Sequence, residues 1–158
     1  MSAGASEPTP VETPESLTAG DVMTPVGRTC SPFSTVVEAS MIFKELDTDA
    51  VPVVDAGKPV GVVVDRDVAL AVVDAPDLGS RPVSEIMVKD FPSVPVDAHV
   101  DQVLQAMSAA GSRLALVVDA AGDLTGLIFW AELARRLPLD ATPGAGLDDE
   151  APAEVTKP

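Results

Sequence analysis

The strongest constraint on the fold of this chain is a repeat that relates its two halves. Identical residues recur 64 positions apart, in the pairs Met23/Met87, Val36/Val100, Val53/Val117, Val54/Val118 and Asp55/Asp119. Beyond the next turn the spacing becomes 65, in the pairs Gly61/Gly126 and Ala69/Ala134. One inserted residue confined to a turn is typical of a structural duplication, because loops tolerate insertions. The 158 residues are therefore expected to form two similar units.

Each copy of the repeat contains a β-hairpin pattern followed by a helix pattern. In residues 49–69, two valine-rich runs flank a tight turn at residues 55–58, and an apolar helical stretch with Asp65 and Asp67 at its start follows. Such runs around a glycine turn predict a hairpin. Acidic residues at the start of an apolar stretch predict a helix start, with Asp65 as the expected N-cap. Residues 113–134 repeat this arrangement.

A longer helix is expected before each hairpin. Ser34 or Thr35 can cap the first helix, which should extend to about Leu46 and bury Val36, Ala39, Ser40 and Phe43. Asp97 is expected to cap the second helix, whose core stripe has helical spacing and consists of Val100, Val103, Leu104 and Met107.

These elements predict an α/β (α+β) fold built from two repeats, each a small three-stranded sheet with flanking helices. A unit of roughly 50 ordered residues buries too little surface to be stable by itself. The two repeats should therefore pack sheet to sheet about a pseudo-two-fold axis, which creates a cleft between them. The expected organisation is a disordered tail (1–16), repeat 1 (17–73), a linker (74–82), repeat 2 (83–137) and a disordered acidic tail (138–158).

Composition excludes several classes of function. The formal net charge of −15 disfavours nucleic-acid binding, which depends on neutralising phosphates. No segment has the roughly 20 apolar residues that cross a bilayer, and no signal peptide is evident, so we expect a cytoplasmic protein that does not bind membranes. The single cysteine and single histidine provide neither a zinc site nor a nucleophile–base pair. We therefore expect no catalytic activity and no metal site.

In its motifs and their order, the chain resembles a tandem pair of CBS domains, also called a Bateman module. The resemblance covers residues 17–137 and rests on the segments 22–25, 50–55 and 61–67 together with their counterparts 86–87, 116–119 and 126–132. No single motif is very specific, whereas their spacing and duplication are. The two-repeat architecture and residues 65–67 are most similar to small stand-alone bacterial CBS pairs, including the hypoxia-response type of actinobacteria.

The resemblance implies a regulatory module that binds AMP, ADP, ATP or S-adenosylmethionine in the cleft and forms a homodimer through its helices. In the family, a hydroxyl residue after the last strand holds phosphate and an acid three residues later holds the ribose. A carboxylate suits this role because it can accept from both ribose hydroxyls. The implied nucleotide-binding positions of the first site are Thr29, Cys30, Val64, Arg66, Asp67 and Arg113.

The sequence keeps only part of that family pattern. Val64 and Phe129 stand where the family has its hydroxyl residue, while Asp67 and Glu132 stand at the ribose position. Because a phenylalanine tends to fill a pocket, the second site (Phe129 and Glu132) is expected to be closed and the first site open. A ligand-free scaffold for dimerisation or partner docking is the alternative function.

Simpler structural roles account equally well for several of these residues. Asp67 also fits a first-turn acid that favours the helix dipole, a contribution of roughly 0.3–1 kcal/mol. Arg113 also fits an exposed arginine at the mouth of a strand, and Cys30 fits a small buried hydrophobic residue. Trp130 is expected to pack at a surface or dimer contact, with adenine stacking as the alternative, and His99 to lie exposed early in a helix.

Overall fold

The computed structural model of the protein describes residues 17–137. Both predicted tails, 1–16 and 138–158, lie outside the described residues. The helices are α1 (Ala19–Val22), α2 (Val36–Leu46), α3 (Asp65–Ala71), α4 (Val100–Ala110) and α5 (Trp130–Arg136). The strands are β1 (Thr24–Pro25), β2 (Ala50–Asp55), β3 (Lys58–Val64), β4 (Ser93–Pro95), β5 (Leu114–Val118) and β6 (Leu124–Phe129). None of the helices in the described part of the chain is long and apolar enough to cross a membrane.

The two long helices begin with different capping residues. Helix α2 begins at a capping box, in which the Thr35 hydroxyl accepts from the Glu38 N–H at 3.1 Å and the Glu38 carboxylate accepts from the Thr35 N–H at 2.8 Å. Helix α4 begins after His99, whose N–H donates to the Gln102 side chain at 2.9 Å. The prediction of Asp97 as the N-cap is therefore wrong, because Asp97 lies in a turn and the extended residue His99 pairs with Thr18 before the helix begins.

Two further sequence expectations about helices need correction. Helix α3 has Val64 as its N-cap residue and Asp65 as its first helical residue, because strand β3 continues directly into the helix. On α2 the buried residues are Val36, Ala39 and Ile42, whereas Ser40 and Phe43 are partly exposed. The predicted stripe of α4 is confirmed, with all four residues buried.

The hairpins form around the predicted turns. Ala56 and Gly57 join β2 to β3 with φ values of 54° and 86°, the left-handed conformation that two-residue hairpin turns require. The longer second turn contains Gly122 at φ 88°. Both hairpins have a bulge at equivalent places, after Val53 and after Val117. The inserted residue therefore lengthens the turn and leaves the pairing of the strands unchanged.

The strand pairings of the two halves are equivalent. Strand β6 lies between β5 and β1, and β4 pairs parallel to β5, which gives a four-stranded sheet. The second hairpin pairs with β4 and β1. At the equivalent places the first hairpin forms isolated bridges, with Cys30 and with Val88. The equivalent pairs are Thr24/Leu127 with Val88/Val62, Val94/Val117 with Cys30/Val53, and Thr18/His99 with Pro82/Thr35. Each pair is related to its partner by the offsets of 64 and 65 seen in the sequence.

The segment that opens each repeat packs against the hairpin of the other repeat. Leu17, Ala19 and Val22 belong to the core formed by α4, α5 and the second hairpin. Val83, with Ile86 and Met87 beside it, belongs to the core formed by α2 and the first hairpin. This reciprocal exchange joins the repeats about an approximate two-fold axis.

The predicted linker also contributes to a core. Leu78, in a short 3-10 turn, is 3% exposed and packs in the core of the first repeat. Residues 74–82 therefore do more than connect the repeats, although they contain the turn formers that the sequence showed.

A third core lies between the two sheets, as the pseudo-two-fold arrangement predicts. Ala50 and Val62 from the first hairpin meet Leu116 and Leu127 from the second. At the turns, the Leu124 N–H donates to the Gly57 carbonyl at 3.1 Å. The seam between the repeats is thus closed at the turn end by packing and hydrogen bonding.

Candidate functional site

A cleft of about 590 Å³ lies where strand β6 continues into helix α5, with walls from both repeats. From the first repeat it is lined by β1, by Gly27 and Arg28, and by residues 46–52, which run from the end of α2 into β2. From the second repeat it is lined by Arg113 and by residues 129–132. The volume is in the range of small-molecule sites in proteins, which is about 300–1,000 Å³.

The second-repeat wall of the cleft contains the positions expected to be degenerate. Phe129 ends β6 and is partly exposed, so its ring lines the cleft without closing it. Glu132 lies in the first turn of α5, is exposed, and forms an ion pair with Arg135 at 2.8 Å. The Trp130 N–H donates to the Arg113 carbonyl at 2.8 Å, which fixes the start of α5 against the start of β5.

Two arginines and three carboxylates line the cleft. Arg28 is engaged by Glu45 in an ion pair, whereas Arg113 forms no ion pair with any carboxylate in residues 17–137. Asp47 and Asp49, from the α2–β2 connection, face the cleft together with Glu132. An anionic group would therefore find Arg113, a guanidinium without an ion pair among residues 17–137, beside acidic neighbours.

The first-site residues lie at the equivalent junction of β3 and α3. Val64 is partly buried and packs against the core between the sheets, together with Phe91. Arg66 is exposed in the first turn of α3, and Asp67 is partly exposed one residue further. The carbonyl of Asp49 accepts from the Asp65 N–H at 3.0 Å, as the carbonyl of Arg113 does from Trp130.

The neighbouring residues Thr29 and Cys30 differ in solvent exposure. Thr29 is exposed, while Cys30 is 5% exposed in the core of the first repeat. The Cys30 N–H donates to the Pro52 carbonyl and its carbonyl accepts from Val54. Burial raises the pKa of the Cys30 thiol, with Glu38 adding to the effect, so the neutral thiol is favoured. The structure thus brings Arg113, Phe129 and Glu132 to one cleft and leaves Cys30 in a core.

The sequence predictions missed the acidic loop of residues 47–49 and Gly27 as lining positions. Gly27 is recognisable in retrospect, because the offset of 64 aligns it with Phe91, the largest difference in side-chain volume along that segment. No group of three or more His, Cys, Asp or Glu side chains that could hold a metal ion occurs within residues 17–137.

Comparison with known proteins supports the repeat directly. The model of the CBS domain family matches residues 19–74 and again residues 83–139. The chain belongs to the CBS domain family. As a CBS pair it is 32% identical over 114 residues to the CBS domain-containing protein YhcV of Bacillus subtilis, covering 72% of this chain and 81% of that protein.

Solved structures of CBS pairs share the fold. Hypoxic Response Protein I, solved with two coordinated zinc ions, is 25% identical and superposes with a TM-score of 0.68 over 77% of this chain and all of that one. CBSX2, solved in complex with AMP, is 27% identical with a TM-score of 0.62, covering 75% of this chain and 93% of that one. The predicted resemblance to CBS pairs and the predicted fold class are confirmed.

Proposed function

We propose that this CBS pair is a non-catalytic regulatory module that binds an adenosine-containing ligand in the cleft between its repeats and signals to a separate protein. The observation that carries the proposal is the cleft of about 590 Å³ at the β6–α5 junction, lined by both repeats. The AMP complex of CBSX2 supports the ligand class. A ligand shifts the equilibrium between two arrangements of the repeats when it binds one arrangement more tightly than the other. A site lined by both repeats allows such a difference in affinity.

The residues of this cleft have chemistry that suits the parts of a nucleotide. Glu132 stands at the ribose position implied by the family resemblance, and a carboxylate can accept from both hydroxyls. Arg113 provides a guanidinium for a phosphate, and the rings of Phe129 and Trp130 provide apolar surface for a base. We therefore favour the Glu132 cleft over the site around Val64, Arg66 and Asp67, which stays a prediction from sequence.

Calorimetric titration tests this assignment with AMP, ADP, ATP and S-adenosylmethionine as ligands. We expect AMP binding that weakens about tenfold or more in Glu132→Gln and Arg113→Ala, because each loses a charge-assisted hydrogen bond. Asp67→Ala is the matched control, since it removes the acid at the equivalent position of the other repeat. Binding lost in Asp67→Ala and kept in Glu132→Gln would assign the ligand to the first site instead.

A homodimer through the first repeat is the second part of the proposal. Six large apolar side chains are at least half exposed around α2 and the end of α3, namely Phe33, Val37, Met41, Leu70, Val72 and Val73. The offset aligns the first four of these with polar residues of the second repeat, namely Asp97, Asp101, Gln105 and Arg135. An apolar patch of this kind favours an interface, and its restriction to one repeat favours contact with the same patch of a second copy.

This patch also favours the alternative function, a scaffold that dimerises without binding a ligand. Light scattering of wild type, Met41→Glu and the matched control Gln105→Glu, each with and without AMP, distinguishes the two. Dissociation in Met41→Glu alone supports the interface. A dimer that binds none of the adenosine ligands would favour the scaffold. A cytoplasmic location remains a prediction of the sequence.

A further inference from the structure

Gly27 and Phe91 occupy the same place in the two repeats. The strand pairs on either side fix this equivalence, since Thr24 and Cys30 align with Val88 and Val94 without a gap. Gly27 is exposed and lines the cleft that contains Phe129 and Glu132. Phe91 is partly buried and packs against the core between the sheets, against which Val64 also packs.

The fold does not require glycine at position 27. A Cβ atom built there would have one neighbour within 4 Å, the Leu46 Cδ1 atom at 3.4 Å, which is ordinary contact. Position 27 is also absent from the residues with a positive φ. By contrast, a Cβ at Gly61 would come within 2.6 Å of the Met87 Sδ atom. Packing and backbone conformation therefore account for glycine at 61 and not at 27.

We infer that this one position decides which of the two pseudo-equivalent clefts can take a ligand. The absence of a side chain at Gly27 leaves the Glu132 cleft open, and the Phe91 ring occupies the corresponding space beside Val64 and Asp67. Each chain then has one ligand site, which is the Glu132 cleft and not the Asp67 site that the sequence pattern favoured. This inference rests on the proposed function for its ligand and on packing alone for its geometry.

Two substitutions are expected to reverse which cleft is open and which is filled. Gly27→Phe should fill the open cleft, and Phe91→Ala should empty the closed one. Within residues 17–137, the one atom that a Cβ at position 27 would contact is the end of a flexible leucine side chain, so Gly27→Phe should fold. Gly27→Ala provides a smaller step in the same direction. Thermal melting without ligand verifies folding of all three variants.

Calorimetry with AMP gives the stoichiometry for each variant. We expect one site per chain in wild type and in Gly27→Ala, and at least a hundredfold loss of affinity in Gly27→Phe. Two sites per wild-type chain, or wild-type affinity in Gly27→Phe, would overturn the inference.

Crystal structures of the ligand-free variants separate this inference from the proposed function. If wild type binds no AMP, the ligand assignment fails, but the structures still decide the role of the two positions. An empty space lined by Val64 and Asp67 in Phe91→Ala, with the introduced ring seated in the cleft of Gly27→Phe, supports the inference. A ring turned out to solvent in Gly27→Phe, or no new space in Phe91→Ala, contradicts it.

Discussion

At the residue level, the two hairpin glycines show how closely the repeats are joined. The side chain of Met87 lies over Gly61 of the first hairpin, and that of Met23 lies over Gly126 of the second. Each methionine comes from the opening segment of the other repeat. A glycine is required at both places because any side chain would enter the space that the methionine fills.

Gly126→Ala is expected to destabilise the protein more than Gly61→Ala. At Gly126 the new Cβ would meet the backbone carbonyl of Thr24 at 2.8 Å as well as the flexible Met23 side chain, whereas at Gly61 its three nearest neighbours are all atoms of Met87. Overpacking of this kind costs about 1–3 kcal/mol in the free energy of unfolding. Urea denaturation measures it, with Gly27→Ala as a control expected within about 0.5 kcal/mol of wild type. Equal stability of Gly126→Ala and the control would contradict this account.

The short helix α1 depends on a carboxylate at its third residue. The Asp21 side chain accepts from the Thr18 N–H at 2.9 Å and from the Thr18 hydroxyl at 3.0 Å. These hydrogen bonds, the backbone one first, lower the pKa of Asp21, and Arg136 adds a smaller contribution. Because α1 carries Ala19 and Val22 into the core of the other repeat, its cap contributes to the joining of the two halves.

Stability should respond to pH through Asp21. A carboxyl group with a lowered folded-state pKa stabilises the protein above its unfolded pKa of about 3.8 and loses that contribution as pH falls through the folded value. Asp21→Asn is therefore expected to melt at a lower temperature than wild type at pH 7, with the difference shrinking below about pH 4. Melting curves between pH 2 and 7 measure this, and a difference independent of pH would exclude the carboxylate as the cause.

The hairpin turns form a second connection between the repeats. Lys58 in the first hairpin donates to the Asp123 carboxylate at 2.7 Å and to the Ala121 carbonyl at 2.5 Å in the second turn. Both charged side chains are about half exposed, with values of 51% and 46%. A pair of this exposure is weakened by solvent and salt.

A double-mutant cycle of Lys58→Ala and Asp123→Ala measures this connection. We expect a coupling of about 0.2–1 kcal/mol at low salt that falls in 1 M NaCl, because exposed ion pairs are screened. Zero coupling at low salt would mean that the Lys58–Asp123 ion pair adds nothing and that the turns are joined by the hydrogen bonds to the Ala121 and Gly57 carbonyls.

For the whole molecule, charge should govern the choice among adenosine ligands. The chain has a formal net charge of −15, and three carboxylates line the cleft beside Arg113. Repulsion between protein and ligand grows with the number of ligand phosphates and is reduced by salt. ATP is therefore expected to bind more weakly than AMP at low ionic strength, with the ratio of their dissociation constants falling as NaCl is added. Titration at about 20 and about 300 mM NaCl tests this, because the Debye length is longer than its value of ~10 Å at 0.1 M in the first condition and shorter in the second. Tighter ATP binding at low salt would contradict it.

Most of the fold could be predicted from local sequence signals. The cap of α2, the stripe of α4 and the turn at residues 55–58 involve neighbours within a few residues. The stripe and the turn formed as expected, and of the two predicted caps, Ser34 and Thr35, the structure has Thr35. The errors at Asp65 and Asp97 concern one or two residues at helix starts, where strand pairing extended the chain beyond the local signal. The predicted site was less complete, because its lining combines segments up to about 100 residues apart, from Thr24 to Glu132.

The sequence by itself determined the duplication, the hairpins, the long helices and the family, because each is encoded by residue types at short or regular spacing. Only the tertiary structure decided that the opening segments are exchanged between repeats and that Arg113, Phe129 and Glu132 line one cleft. The physical reason is that packing across the seam depends on side-chain volumes brought together from both halves. The offset aligns Gly27 with Phe91, but only the packing shows that Gly27 lines the cleft whereas Phe91 packs against the core between the sheets.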